Sequence, residues 1–498
     1  MALSSGAGSS SMSDQHESLE AGPHPAPIAV IGAGFSGTMA AIQLLARLPP
    51  HQSVLLCERA ERFGSGRAYA TGNPDHLLNV RAANMSAYPD RPSHFEDWLS
   101  KIAAGEAGTG AGNPAIGQGH VGIWRTPAGT FAARGLYGDY LAALLTEAVT
   151  GGSTPRLHLI NDMIIDLVPD EDRLVMVAEG GRRVDVAGAV LAMGNLALPQ
   201  EPESRFRGDP WKPEHDARLH PDHPVLIIGT GLSMVDAVIS LRRQGFRGQI
   251  IALSRRGQIP AVHVRAAPWP RPDFTAAETR SITQLLARIR REVASAAEAR
   301  IAWHGVIDAL RPVTDALWLG LPPADQARFL RHLRPFWDTH RHRSAPPTGA
   351  AIADEIEAGS LQVLAGKLVA IEDQTGEARV TYRPRGASEP RTLGVQRIFD
   401  VRGVGRVADT TDPLLRNLIG RGLVRAGPFG LGLAVRPDLT VLGASDTAAR
   451  LWTLGPLLRG AYWECTAVPD IRNQAVDLAR SVAAAQEPSA SLEPSAQA

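Results

Sequence analysis

The sequence predicts an α/β protein of two Rossmann-like units, the second inserted in the first, with a helical elaboration. Three observations carry that prediction. A glycine-rich turn at 32–37 joins a short apolar run to a helical pattern, and the same order recurs at 229–234. Between 275 and 343 the chain turns alanine-rich and amphipathic, above all at 282–298 and 323–333, which suits helices rather than sheet. At 498 residues the length allows two or three domains.

The first unit opens at Ile28. Residues 28–31, IAVI, form the continuous apolar run of a strand buried on both faces. Gly32, Gly34 and Gly37 then complete G-x-G-x-x-G around Phe35 and Ser36. The first glycine permits the tight turn, the second admits a pyrophosphate to the backbone, and the third brings helix close to strand. Residues 39–48 follow with helical spacing and stop at Pro49-Pro50. A second strand, 53–57, ends in Glu58-Arg59, and Glu58 lies 24 positions beyond Gly34. An acid there accepts hydrogen bonds from ribose hydroxyls, so the ligand expected is a dinucleotide without a 2′-phosphate, FAD or NAD.

The second unit repeats the order with different chemistry. Residues 225–228, VLII, lead into Gly229, Gly231, Leu232 and Ser233, with Met234 in place of the third glycine. That substitution predicts a helix standing further from its strand. The strand at 249–254 ends in Arg255-Arg256, where the first unit has an acid. Guanidinium groups at that position can fork onto a ribose 2′-phosphate, which favours NADPH, with NADH as the alternative. An acidic first site and a basic second site together imply a flavoprotein that takes hydride from a nicotinamide.

Charge and cysteine content remove other classes. Fifty-one basic residues balance 51 acidic ones, so no cationic surplus points to nucleic acid or an anionic membrane surface. No apolar run approaches the ~20 residues of a membrane helix. Cys57 and Cys465 stand far apart, and no zinc site, disulfide framework or C-x-x-C pair can be built from them. A reducing cytoplasm is the compartment expected. Residues 1–26 and 483–498 are rich in Ser, Gly, Pro and Ala and are expected to be disordered tails.

Further stretches resemble the two-dinucleotide-binding-domain flavoproteins, a glutathione-reductase-like fold class. The nearest likeness is to the bacterial FAD/NAD(P)-binding proteins, relatives of the flavin-dependent N-hydroxylating and Baeyer–Villiger monooxygenases. Residues 76–99, HLLNVRAANMSAYPDRPSHFEDWL, are similar to the segment lying along the flavin, with Arg81 where relatives usually have proline. By resemblance Asn79, Met85 and Ser86 would approach the isoalloxazine or ribityl chain. Residues 131–141, FAARGLYGDYL, and 189–198, AVLAMGNLAL, resemble the family's helix entry and its hinge strand, with Gly194 at the hinge and Met193 in place of Thr. Residues 451–475 resemble its C-terminal flavin-binding strand and helix, with Gly455 followed by Pro456 where many relatives carry Asp. Thr466 is the expected cap of the helix that follows, whose positive N-terminus would face the flavin.

The domain plan expected is a first FAD segment over 27–218, an NAD(P) domain over 219–397 with its helical insertion at about 272–345, and a returning FAD segment over 398–482. The resemblance implies an FAD-dependent NAD(P)H oxidoreductase acting on a small molecule. The missing cysteine pair excludes a dithiol disulfide reductase. The Baeyer–Villiger fingerprint is broken at 206–212, FRGDPWK, where Lys212 replaces His, and this puts N-hydroxylation ahead. A non-oxygenating or redox-sensing nucleotide-binding protein is the alternative. The cluster Arg331, His332, Arg334, His340, Arg341, His342 and Arg343 reads as a structural face or as a site for an anionic substrate; its arginines disfavour a metal.

Overall fold

A computed structural model describes residues 25–104, 122–151, 154–198, 203–209, 219–445 and 448–486. Trp211, Lys212 and His215 of the broken fingerprint lie outside the described residues, as does most of both expected tails. The C-terminal helix Val468–Gln486 runs past the tail boundary expected at 483, because Val482 is fully buried against the core of the first domain.

One sheet has the order Thr440–Leu442, Ala448–Thr453, Gly188–Leu191, Ile28–Ile31, Val54–Glu58 and Leu157–Asn161. All its pairings are parallel except that between the first two strands. Its central strand alternates between two cores. Ile28 and Val30 enter one, Ala29 and Ile31 the other, which is why residues 28–31 read as an unbroken apolar run. The second sheet orders Arg207–Gly208, Arg397–Asp400, Val225–Ile228, Ile250–Ser254, Leu361–Asp373, Ala378–Pro384 and Arg391–Val395. Everything in it lies between the two stretches that build the first sheet.

Sheet membership moves both edges of the insertion outward from 219 and 397. Strands Arg207–Gly208 and Arg397–Asp400 pair with each other, and a buried Arg207–Asp400 ion pair of 3.0 Å holds them. The two crossings run side by side, the Gly405 N–H donating to the Leu196 carbonyl at 2.9 Å.

Helices Ile282–Glu298, Trp303–Leu310, Thr314–Gly320, Pro323–Arg328 and Arg334–Arg341 form the helical elaboration, with a single π-turn at Phe329–Leu333. Ser281 caps the first of these through the Gln284 N–H. The chain then re-enters the second domain through Pro346–Glu357, which packs on the glycine-turn helix Leu232–Arg243. Met234 stands where the first unit has its third glycine. It is fully buried in one core with Val225, Ile227 and Val238.

Candidate dinucleotide sites

The first glycine turn is built by close contact. Gly32 has φ +99°, and a Cβ there would lie 2.5 Å from the Ala192 carbonyl oxygen. A Cβ on Gly37 would overlap the Gly32 carbonyl. Gly34 faces Gly66 instead of a side chain, and a Cβ on Gly66 would come to 2.8 Å from the Gly34 Cα. No side chain caps helix Phe35–Leu45, so the N–H groups of its first turn are left to a ligand. Beside the turn, the hydroxyls of Ser65 and Tyr137 are buried with no hydrogen-bond partner, and Ser65 directly precedes the Gly66 that faces Gly34. A cradle stripped of Cβ atoms and flanked by orphaned hydroxyls fits a bound dinucleotide.

Glu58 closes this cradle. One carboxylate oxygen accepts the Ala33 N–H at 2.8 Å and the other the Ala60 N–H at 3.1 Å. Each retains lone-pair capacity for a ribose hydroxyl. Arg59 is exposed, and no partner holds it among the described residues. Gly194, at φ +69°, follows the strand end that closes over Gly32, and a Cβ on it would meet nothing within 4 Å.

The C-terminal segment comes to the same place. Gly455 sits on Ser36, where a Cβ would lie 2.6 Å from the hydroxyl, and its N–H is held by Gln474 at 2.9 Å. Pro456 follows in the short helix Gly455–Leu458. Thr466 is not the cap expected of it. The next helix begins at Val468, and the Ala467 carbonyl accepts the first intrahelical bonds, from Asp470 and Ile471.

The segment expected along the flavin divides. Met85 is buried in the same core as Phe35. Ser86 spends its hydroxyl within its own turn, donating to the Arg91 carbonyl at 2.6 Å, while its carbonyl accepts from Arg472 at 2.9 Å. Asn79 offers its carbonyl to His263 Nε2 at 2.9 Å, a contact across the domains. A carbonyl only accepts, so Nε2 carries the proton. Burial holds this imidazole down to about 4. Arg81 keeps φ −61°, the value proline would impose, and uses its side chain to hold the Ala128 and Val264 carbonyls.

The second turn is more open. Gly229 has φ +116° and lies under the Val401 carbonyl, whereas a Cβ on Gly231 would meet nothing within 4 Å. Leu232 and Ser233 begin the uncapped helix. Thr230 donates to the Ser254 hydroxyl at 2.9 Å, and Ser254 accepts the Gly257 N–H at 3.0 Å, fixing the end of the strand. The two arginines then part. Arg255 is exposed without a partner among the described residues. Arg256 turns onto the helical elaboration, donating to the His332 carbonyl at 3.2 Å and lying 4.9 Å above the Phe336 ring. The expected arginine pair is therefore one guanidinium without a partner among the described residues and one contact to the helical elaboration of the same domain.

The FAD-NAD(P)-binding family model matches residues 29–196. Residues 29–196 are an FAD/NAD(P)-binding domain. No curated protein matches the chain by sequence. Among solved structures, the chain is similar to an ornithine N-hydroxylase from Kutzneria sp. 744, at 14% identity over 93% of this chain and 100% of that one, with a TM-score of 0.62. It is similar to an L-lysine 6-monooxygenase from Pseudomonas syringae at 16% identity, covering 93% and 100%, with a TM-score of 0.59. A cadaverine monooxygenase from Erwinia amylovora matches at 11% identity over 92% and 95%, with a TM-score of 0.60. These likenesses show that the FAD/NAD(P)-binding domain belongs to a two-dinucleotide-domain flavoprotein fold spanning nearly all of the chain.

Cys57 and Cys465 are both buried, and burial pushes each thiol up to about 12. Among the described residues no cluster of His, Cys, Asp or Glu is placed to hold a metal ion. Among the same residues no helix is long and apolar enough to cross a membrane. Sequence reasoning passed over Ser65, Gly66, Tyr137, Arg472 and Gln474. Only Gly64-Ser65-Gly66 carries a local signal, a glycine-flanked serine shortly after the acid-terminated strand.

Proposed function

We propose that the protein is an FAD-dependent NAD(P)H oxidoreductase of the monooxygenase type, oxidising NADPH and hydroxylating a nitrogen of a small molecule. The observation that carries this reading is the opposed chemistry of two glycine turns in one fold. Glu58 stands at the first with lone pairs for ribose hydroxyls, and Arg255 stands at the second without a partner among the described residues. The fold is shared with N-hydroxylases, one of whose structures holds reduced FAD, NADP+ and L-ornithine.

Each residue has a distinct part. The N–H groups of Gly34, Phe35 and Ser36 would hold the FAD pyrophosphate, Glu58 its ribose, and the positive end of helix Val468–Gln486 its electron-rich ring. The turn from Gly229 to Ser233 would hold the second pyrophosphate, and Arg255 the 2′-phosphate. When bound, the flavin supplies hydride acceptance and oxygen activation, and the protein supplies position and electrostatics.

The test is direct. The purified chain should be yellow and should oxidise NADPH in air. Arg255→Ala should erase an NADPH-over-NADH preference of ~30-fold, the worth of one charge-assisted fork. Amines and amino acids should stimulate NADPH oxidation and yield hydroxylated product. A flavin that stays oxidised under excess NADPH and NADH overturns the reading.

A further inference from the structure

The seam between the two domains holds a cleft of about 470 Å³. The FAD domain lines it with Leu77 and Trp124, and the second domain with Val238 and Ile352, from the helices Leu232–Arg243 and Pro346–Glu357. Leu77, Val238 and Ile352 are buried, and Trp124 packs on the small core that holds Leu77. The seam is bonded in place beside the cleft. His76 reaches the Ser240 hydroxyl at 2.8 Å, and Arg134 meets Asp236 at 2.7 Å. The cleft is therefore preformed, and its size, apolar floor and place between domains suit a small-molecule site. No residue of either glycine turn lines it. From Leu232, beside the second turn, to Arg243, at the cleft, the helix rises about 16 Å.

Three guanidinium groups and two carboxylates also line the cleft, those of Arg242, Arg243, Arg247, Asp75 and Glu355. Arg242 is fully engaged. It grips Glu355, with Nε 2.9 Å from both carboxylate oxygens, and holds the Phe246, Gly248 and Ser360 carbonyls. Arg243 pairs with Asp75 across the seam at 2.6 Å. Arg247 is exposed and donates through one nitrogen only, to the Arg242 and Phe246 carbonyls at 2.7 and 3.4 Å. No acid pairs with it among the described residues. The cleft thus carries one positive charge that its own carboxylates leave unmatched. In the Arg/His run at 331–343, by contrast, Arg334, Arg341 and Arg343 already hold Asp338, Glu464 and Asp308.

We propose that this cleft binds a small amphipathic anion, its apolar body between Trp124 and the helix Pro346–Glu357 and its carboxylate on Arg247. The remaining N–H groups of Arg247 form a planar fork that suits an oxyanion. A cationic ligand would find both carboxylates already holding arginines. A ligand seated here touches the FAD domain and the second domain at once, so its binding stabilises their docked arrangement. The site uses neither dinucleotide cradle, so it goes beyond the oxidoreductase reading and stands without it.

The experiment is calorimetric titration of the full-length protein as purified, with 4-phenylbutyrate against its amide and octanoate against octanamide. At least one acid should bind ~10-fold tighter than its amide, the worth of one charge-assisted contact. Arg247→Gln should remove that difference and leave the amide unchanged. Ala351 is an exposed helix position that lines the cleft. Ala351→Trp should fill the space and weaken acid and amide together by ~30-fold or more; Ala351→Phe replaces it if the tryptophan variant fails to fold. The bound acid should raise the melting temperature of the parent and not that of the filled variant. The proposal is overturned if neither acid is preferred to its amide, or if Arg247→Gln keeps the preference. It is also overturned if the filled variant binds acid as tightly as the parent, since the acid then sits elsewhere. A colourless protein with the expected affinities would keep the cleft as an anion site and lose the oxidoreductase reading.

Discussion

Glu58 does two jobs with one carboxylate: it holds the Ala33 and Ala60 N–H groups and keeps lone pairs towards the cradle. Glu58→Ala should raise the dissociation constant for FAD by at least ~10-fold, since hydrogen bonds to a charged group contribute about 1.5–3 kcal/mol. Equilibrium dialysis of the flavin reads it. His263 gives a pH signature. Its ordinary value is 6.5, and burial holds it at about 4 in the folded protein. The unfolded chain therefore takes up a proton that the folded one refuses, so this contribution is complete above 6.5 and is lost as the pH falls towards 4. Melting temperature should fall over that window, and His263→Gln should flatten the fall relative to the parent whatever it does to absolute stability. At this scale Glu58 was legible because its place is set by chain position after a strand. The parting of Arg255 and Arg256 was not, because partners are assigned only when distant segments meet.

At the scale of elements, two glycines of similar sequence role separate. Gly37→Ala would drive a methyl into the Gly32 carbonyl, whereas Gly231→Ala meets open space at an ordinary backbone angle. Gly37→Ala should therefore lower stability by ~3 kcal/mol or more and release FAD, because backbone on both sides leaves little room to relax. Gly231→Ala should keep the parent's unfolding midpoint and weaken NADPH alone; denaturant melts and nucleotide titration distinguish the two. Strand and helix boundaries around both turns could be read from apolar runs and breakers. The long helix Ile282–Glu298 also lies where its amphipathic run placed it. The pairing of Arg207–Gly208 with Arg397–Asp400 could not be read, since two residues carry no periodicity and the partner lies about 190 positions away.

Across the whole molecule, polar contacts, two of them buried, link the two domains. Arg134 of the FAD domain meets Asp236 of the second domain at 2.7 Å, with side chains 14% and 6% accessible. His76 reaches the Ser240 hydroxyl at 2.8 Å on the same helix, and Arg81 holds the Val264 carbonyl at 3.1 Å. Asp236→Ala should cost about 3–5 kcal/mol in denaturant unfolding, because Arg134 is left charged in a dry interface. Asp236→Asn, which keeps the shape and a hydrogen bond, should lose less.

The sequence by itself determined the α/β class, the two glycine turns and the acid at the end of the second strand, along with the absence of a cysteine pair. These follow from local backbone needs: tight turns demand glycine, and doubly buried strands demand unbroken apolar runs. Only the tertiary structure decided that Arg256 serves the helical elaboration while Arg255 meets no partner among the described residues, and that Ser86 spends its hydroxyl at home. Those outcomes depend on which charges and hydroxyls are satisfied once distant segments pack, and satisfaction is a property of the folded neighbourhood, not of chain order.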